Sequence, residues 1–174
     1  MYERLGFRPL WSFQRWRLPR HPGVHAGEGV VVREIGAGDW PTVFALDRRA
    51  FGAPRDVVLM DFARRSPAAA SVALRGERVA GFVLARPGRI APQIGPLVAE
   101  DETTALCLLS AALQGVKEAE AAVIDVPDRQ QGFLARLADA AAAPVRAFRR
   151  MTREPDRPQQ SPEGLFALAG PEFG

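Results

Sequence analysis

The sequence predicts an α/β domain built on a mixed β-sheet with helices on both faces, and three observations point there. Short apolar runs alternate with stretches of helical periodicity along most of the chain. Two of those runs flank Arg75-Gly-Glu-Arg78 and read as a tight hairpin. Further on, a run–helix–run succession demands a crossover between strands of one sheet. The 174 residues are 47% hydrophobic and 25% charged, the balance of a globular domain able to bury its own core.

The elements follow in order. Val30 to Ile35 forms a strand, and Asp39 stands where a helix N-cap belongs, with Pro41 in the first turn. That helix runs to about Phe51 and stops at Gly52. Pro54 opens a second helix through Arg65, closed by Ser66-Pro67. Ser71 to Leu74 and Val79 to Ala85 are hairpin partners, the second apolar almost throughout and hence central. Pro87-Gly88 interrupts the sheet before a strand from about Ile90 to Val98. Asp101 to Val116 is an apolar helix, Ala121 to Val126 a buried strand, Gln130 to Ala142 a helix, Val145 to Thr152 a strand and Leu165 to Ala169 a last short strand. Glu154 to Gly164, rich in charge and proline, is expected to be a flexible loop. Pro19 to Gly29 lacks apolar periodicity and marks a linker. The organisation is therefore a strand-forming stub at 1–18, a linker at 19–29 and a domain at 30–174.

Composition narrows the function classes. Cys107 is the one cysteine, so neither a disulfide framework nor a cysteine-rich zinc site can form within the chain. His21 and His25 lie in the Pro/Gly-rich linker, and no metal site is expected. The longest uncharged run, Thr103 to Val116, is 14 residues, shorter than the ~18 that suggest a membrane span. The first residues carry no apolar core of a secretory signal. A cytoplasmic protein without membrane association is expected. The net charge is +3, but residues 1–20 hold five arginines against one acid, and the remainder is near neutral. Trp11, Phe13 and Trp16 interleave with those arginines. A stacking platform for single strands would use such a pattern; so would a half-buried strand with a charged rim, and no nucleic-acid partner is expected. Trp11 and Phe13 project to one face of that strand, Ser12, Gln14 and Trp16 to the other. The 30–174 sheet must cover them, or a second chain must, which would make a homodimer through residues 1–18.

The element order, together with several motifs, resembles the GNAT N-acetyltransferases. Tyr2-Glu-Arg-Leu-Gly-Phe7 looks like the YxxLGF close of one such domain. Leu46-Asp-Arg-Arg-Ala-Phe-Gly52 with Arg55, Gly81-Phe-Val-Leu-Ala-Arg-Pro-Gly88, Ile94-Gly-Pro-Leu-Val-Ala99 and Phe166-Ala-Leu-Ala-Gly-Pro-Glu172 are similar to the second domain of tandem acetyltransferases of the YitH type. The resemblance implies a mostly antiparallel GNAT sheet, the tail of a preceding GNAT domain at 1–18, and transfer of acetyl from acetyl-CoA to an amine of a small molecule or a peptide N-terminus, without metal. A catalytically degenerate domain that binds a ligand, or supports a partner domain or dimer, is the alternative.

The resemblance also assigns residues. The strand carrying Gly95, Leu97, Val98 and Ala99 would pair its backbone with the pantetheine arm, and Gly95-Pro96 suits a bulge there. The pyrophosphate would sit on N–H groups of the following helix start, at Thr103, Thr104 and Ala105. The family's R/Q-x-x-G-x-G/A loop is replaced there by Glu100-Asp-Glu-Thr-Thr-Ala105, three acids that also suit a plain helix start. Asp47 falls inside the apolar stripe Val43, Phe44, Leu46, Ala50, Phe51 and so needs a partner; Arg55 and Arg86 are candidates. Asp47 is a candidate base with Arg55 and Arg86 as substrate ligands, or else a structural ion pair. Asp125, ending its strand near the expected cleft, is a second candidate base or a solvated strand end. Cys107, without basic neighbours, reads as a packing thiol.

Overall fold

The alternation of aromatic and polar side chains in Arg8–Pro19 becomes a twelve-residue strand, β1, in the computed structural model, which describes residues 2–19, 29–116, 118–153 and 164–173. The linker residues 20–28, with both histidines, and the loop at 154–163 lie outside the described residues. The other strands are β2 (Val31–Glu34), β3 (Ser71–Arg75), β4 (Arg78–Arg86), β5 (Gln93–Ala99), β6 (Ala121–Pro127), β7 (Ala143–Thr152) and β8 (Leu165–Ala167). They form one sheet in the order β2-β3-β4-β5-β6-β1-β7, with β8 paired to β5. Among the described pairings only β5 and β6 run parallel.

Placement of β1 departs most from the sequence-based division into stub and domain. It lies inside the sheet, with Phe13 opposite Pro127 of β6 on one edge and Phe148 of β7 on the other. The same sheet therefore runs through residues on both sides of the 19–29 linker. From Phe13 to Arg17 both hydrogen-bonding edges of β1 are paired within the chain, to β6 and to β7. Phe13 stacks on Phe148 with ring centroids 5.0 Å apart, and Trp16 and Leu18 are buried on the opposite face. The aromatics expected to need a cover find it in this sheet.

Four helices complete the layers: α1 (Trp40–Phe51), α2 (Asp56–Arg65), α3 (Glu102–Gly115) and α4 (Gln131–Asp139). The period-two alternation of each strand divides the core in two. Val83 and Ala85 of β4 face Leu108 and Leu109 of α3 and Phe133 and Leu137 of α4. Phe82 and Leu84 face Val43 of α1 and Leu59 and Phe62 of α2. Helices thus cover both faces of a mostly antiparallel mixed sheet.

Boundaries shift where proline and glycine act. The strand expected from Ile90 starts at Gln93, because Pro87 to Pro92 forms a loop in which Ile90 is 91% exposed. A methyl group on Gly88 would collide with the Ala91 carbonyl, so only glycine lets this loop fold back on itself. The helix expected to reach Ala142 ends at Asp139, and Ala141 takes a left-handed φ of 59°. Pro144 explains the stop: the residue before a proline is driven to extended backbone, and Ala143 enters β7.

Candidate functional site

β5 and β6 pair only at Gln93↔Val123 and Ile94↔Ile124, then separate. The divergence begins at Gly95, whose φ is 138°, and at a cis Gly95–Pro96 peptide. The wedge this opens is filled by β8. Leu97 and Val98 of β5 pair with Ala167 and Leu165. Ala99 N–H donates to the Gly164 carbonyl at 2.9 Å, and on the other side Leu168 N–H donates to the Asp125 carbonyl at 2.9 Å. A methyl on Gly95 would strike the Leu168 carbonyl, so the chain beyond β8 seats directly on the point of divergence. Leu165 to Ala169 are all buried. The backbone of Leu97, Val98 and Ala99, which the resemblance assigns to pantetheine, thus meets the chain's own last strand.

The helix start beyond β5 is equally committed. Asp101 caps α3, its carboxylate accepting from Thr104 N–H at 2.8 Å while its carbonyl accepts from Ala105 N–H at 3.0 Å. Arg75 donates to the Asp101 carboxylate at 2.7 Å and to the Thr104 hydroxyl at 3.3 Å. Glu100 is held by a two-pronged pairing with Arg78, and that guanidinium keeps its carboxyl below its ordinary pKa. Burial pushes the Asp101 carboxyl up, but the Thr104 N–H and hydroxyl and Arg75 together outweigh it, and the net shift is downward. Thr104 and Ala105 are fully buried. Each of the two carboxylates at this helix start is thus paired with an arginine, Glu100 with Arg78 and Asp101 with Arg75.

Asp47 lies on the buried side of α1, 1% exposed, among Val43 and Ala50. Of its two candidate partners Arg55 takes the role: Nε and Nη2 donate to the two carboxylate oxygens, each at 2.8 Å. The short Gly52–Pro54 connection between α1 and α2 makes this possible, and the guanidinium also lies 4.0 Å over the Phe51 ring. Arg86 goes elsewhere, pairing with Glu172 and donating to the Ala169 carbonyl at 3.4 Å, so it fastens the segment after β8.

Asp125 is fully buried, not at a solvated strand end. Arg15 of β1 donates Nε and Nη2 to its two oxygens at 2.8 Å each, and Gln93 Nε2 adds a third bond at 3.0 Å. Arg15 also donates to Gln93 Oε1 at 3.0 Å, closing a triangle over β1, β5 and β6. The carboxylate raises the Arg15 pKa above its ordinary value. Arg15 and Gln93 were not singled out from sequence. Gln93 lies 32 positions from Asp125 and Arg15 lies 110 positions from it, so no local pattern links them. Cys107 is buried in α3. Among the described residues no group of three metal-ligating side chains comes together, and no helix is long and apolar enough to cross a membrane.

Comparison with known proteins agrees with this architecture. The sequence pattern of the family described as "Acetyltransferase (GNAT) domain" matches residues 43–167. No curated protein matches the chain. Among solved structures, a Pyrococcus horikoshii protein described as an acetyltransferase is similar over 99% of this chain and 55% of its own, at 24% identity and a TM-score of 0.72. A GCN5-related N-acetyltransferase from Sphaerobacter thermophilus is similar over 86% of this chain and 53% of its own, at 19% identity and a TM-score of 0.63. At these identities the likeness is one of fold, and the chain spans about half the length of those two proteins. With 125 of its residues inside the family pattern, the two-faced mixed sheet and the divergent β5–β6 pair, the chain belongs to the GNAT acetyltransferase domain family.

Proposed function

We propose that this chain is the accessory GNAT half of an N-acetyltransferase. In this reading a second domain transfers acetyl from acetyl-CoA to an amine of a small molecule or peptide N-terminus, and this domain supports it as a cytoplasmic tandem partner. One observation carries the proposal: β8 is hydrogen-bonded into the β5–β6 wedge on both sides. In this reading acetyl-CoA is excluded here, because the backbone of Leu97 to Ala99 is already paired and the Thr104 and Ala105 N–H groups at the α3 start are bonded to Asp101. The likeness over only half the length of two larger proteins supports a second domain. Asp47 and Asp125 support the same reading, since each is buried with both carboxylate oxygens engaged by an arginine fork, the arrangement of a structural ion pair.

A second reading, in which this domain itself binds acetyl-CoA, has one feature in its favour. A cavity of about 300 Å³ lined by Leu46, Arg49, Val98, Ala99, Glu100 and Gly164 lies beside the residue that leads into β8. Calorimetric titration of acetyl-CoA into the purified chain, with desulfo-CoA and ADP as controls, separates the two. The accessory role predicts no saturable heat at about 1 mM ligand, and a dissociation constant in the micromolar range would refute it.

A further inference from the structure

The helices α1 and α2 cover the β2–β5 half of their sheet face, and the chain after β8 lies beside the remainder. Next to that segment is a cavity of about 510 Å³ whose walls come from β1, the loop between β4 and β5 with the strand residues flanking it, Val123 of β6, β7 and the residues near Pro171. Arginine dominates the walls. Arg15, Arg17, Arg86, Arg89 and Arg146 all line it, against one lining carboxylate, Glu172. Two of the five are neutralised. Arg15 is spent on the buried Asp125, and Arg86 on Glu172. Arg17, Arg89 and Arg146 have no carboxylate partner among the described residues, and Arg17 and Arg146 are exposed. Two local features bring these charges together: the tight turn at Gly88 precedes Arg89, and the β1–β7 register sets Arg15 opposite Arg146. Arg146 is further steadied over the Phe148 ring at 5.0 Å.

We infer that this cavity binds a small oligophosphate. Three guanidinium forks with no carboxylate partner among the described residues share one concavity and repel one another unless an anion joins them, and planar forks match phosphate oxygens in two-pronged fashion. A single carboxylate carries one charge, whereas each phosphate group carries about −1.5 to −2; two linked phosphates balance three free arginines. The site lies at the first residues of β5, where β5 and β6 are still paired, and is separate from the wedge that β8 fills. The inference therefore stands whether or not this domain binds acetyl-CoA in that wedge.

The test is calorimetric titration with inorganic pyrophosphate at low and moderate salt, on the wild-type chain and on R17A, R146A and the remote charge control R64A. Arg17 and Arg146 are exposed and hold no buried carboxylate, so their removal leaves the fold intact, which a thermal melt checks. Saturable binding that weakens about tenfold in R17A and in R146A, and is unchanged in R64A, is expected. Absence of saturable binding overturns the inference, as does an equal loss in R64A. Citrate, a polycarboxylate of similar charge, is the comparator, and tighter binding of citrate than of pyrophosphate refutes the assignment to phosphate.

Discussion

Replacing Arg15 with methionine isolates the bond that ties β1 to the rest of the sheet. The substitution keeps an unbranched apolar stem but removes the guanidinium, and leaves Asp125, with no solvent exposure, holding only its side-chain bond from Gln93. Breaking one partner of a buried ion pair costs about 3–5 kcal/mol, because an uncompensated charge remains in a low-dielectric site. Arg15 keeps 26% of its side chain accessible, so water can partly reach the gap and the lower end, about 3 kcal/mol, applies. For a chain of this size each kcal/mol moves the melting temperature by about 2–4 °C, giving a fall of about 6–12 °C. Urea denaturation followed by circular dichroism gives the free energy, and a thermal scan gives the shift. The double variant Arg15→Met/Asp125→Leu removes both charges and should recover most of the loss, a strongly non-additive pair. A single variant within about 1 kcal/mol of wild type, or losses that simply add, would refute the idea that this pair is buried and fully coupled.

Further outcomes follow from the wedge and its rim. Asp101→Ala removes the cap of α3 and should cost about 1 kcal/mol, seen as a lower urea midpoint with an unchanged slope. The same rim sets an acid limb. Glu100 and Asp101 have carboxyls lowered from ordinary values of 4.5 and 3.8, so their contribution is complete above those values and is lost as pH falls through the lower folded ones. Melting temperature should decline below about pH 4.5, and less steeply in the Glu100→Gln/Asp101→Asn variant. Gly95→Ala places a methyl against the Leu168 carbonyl at a φ that L-residues avoid, so β8 should be loosened first. Hydrogen exchange should then show lost protection at Leu168 and Ala99 before the α3 core, and uniform loss across the domain would count against local seating of β8.

Much of the fold was legible because it depends on local pattern. The hairpin at Arg75–Arg78, the breaks after α1 and α2, and the apolar run of β4 follow from neighbours within a few residues, whereas the Asp39 carboxylate, expected to cap α1, accepts from Arg33 and the Gly36 N–H instead. Asp47 was conspicuous for the same reason, as a carboxylate in an apolar stripe, and its partner lies eight positions away. Asp125 gave no such signal. Its strand looked as though it ended in solvent because the arginine that buries it belongs to a segment separated by a linker. The interior position of β1 and the insertion of β8 are both matters of long-range pairing, where hydrophobic alternation says which face a residue takes but not which strand lies alongside. The cluster of Arg17, Arg89 and Arg146 was invisible for the same cause, being three lone arginines until the sheet assembles.

The interior seat of β1 has a consequence for how the molecule is made. Its partners Ala121–Pro127 and Ala143–Thr152 come more than a hundred positions later in the order of synthesis. A ribosome adds about 5–20 residues each second, so Trp11, Phe13 and Trp16 wait for several seconds before their slot exists. During that interval an aromatic, arginine-rich ribbon is exposed on the nascent chain while the β2–β5 meander can already collapse through short-range contacts. Such high contact order slows the last step of folding. The earliest strand in this sequence is then the late-arriving one, threaded between β6 and β7 when the rest of the sheet is ready, and the Arg15–Asp125 pair is the latch that records its arrival.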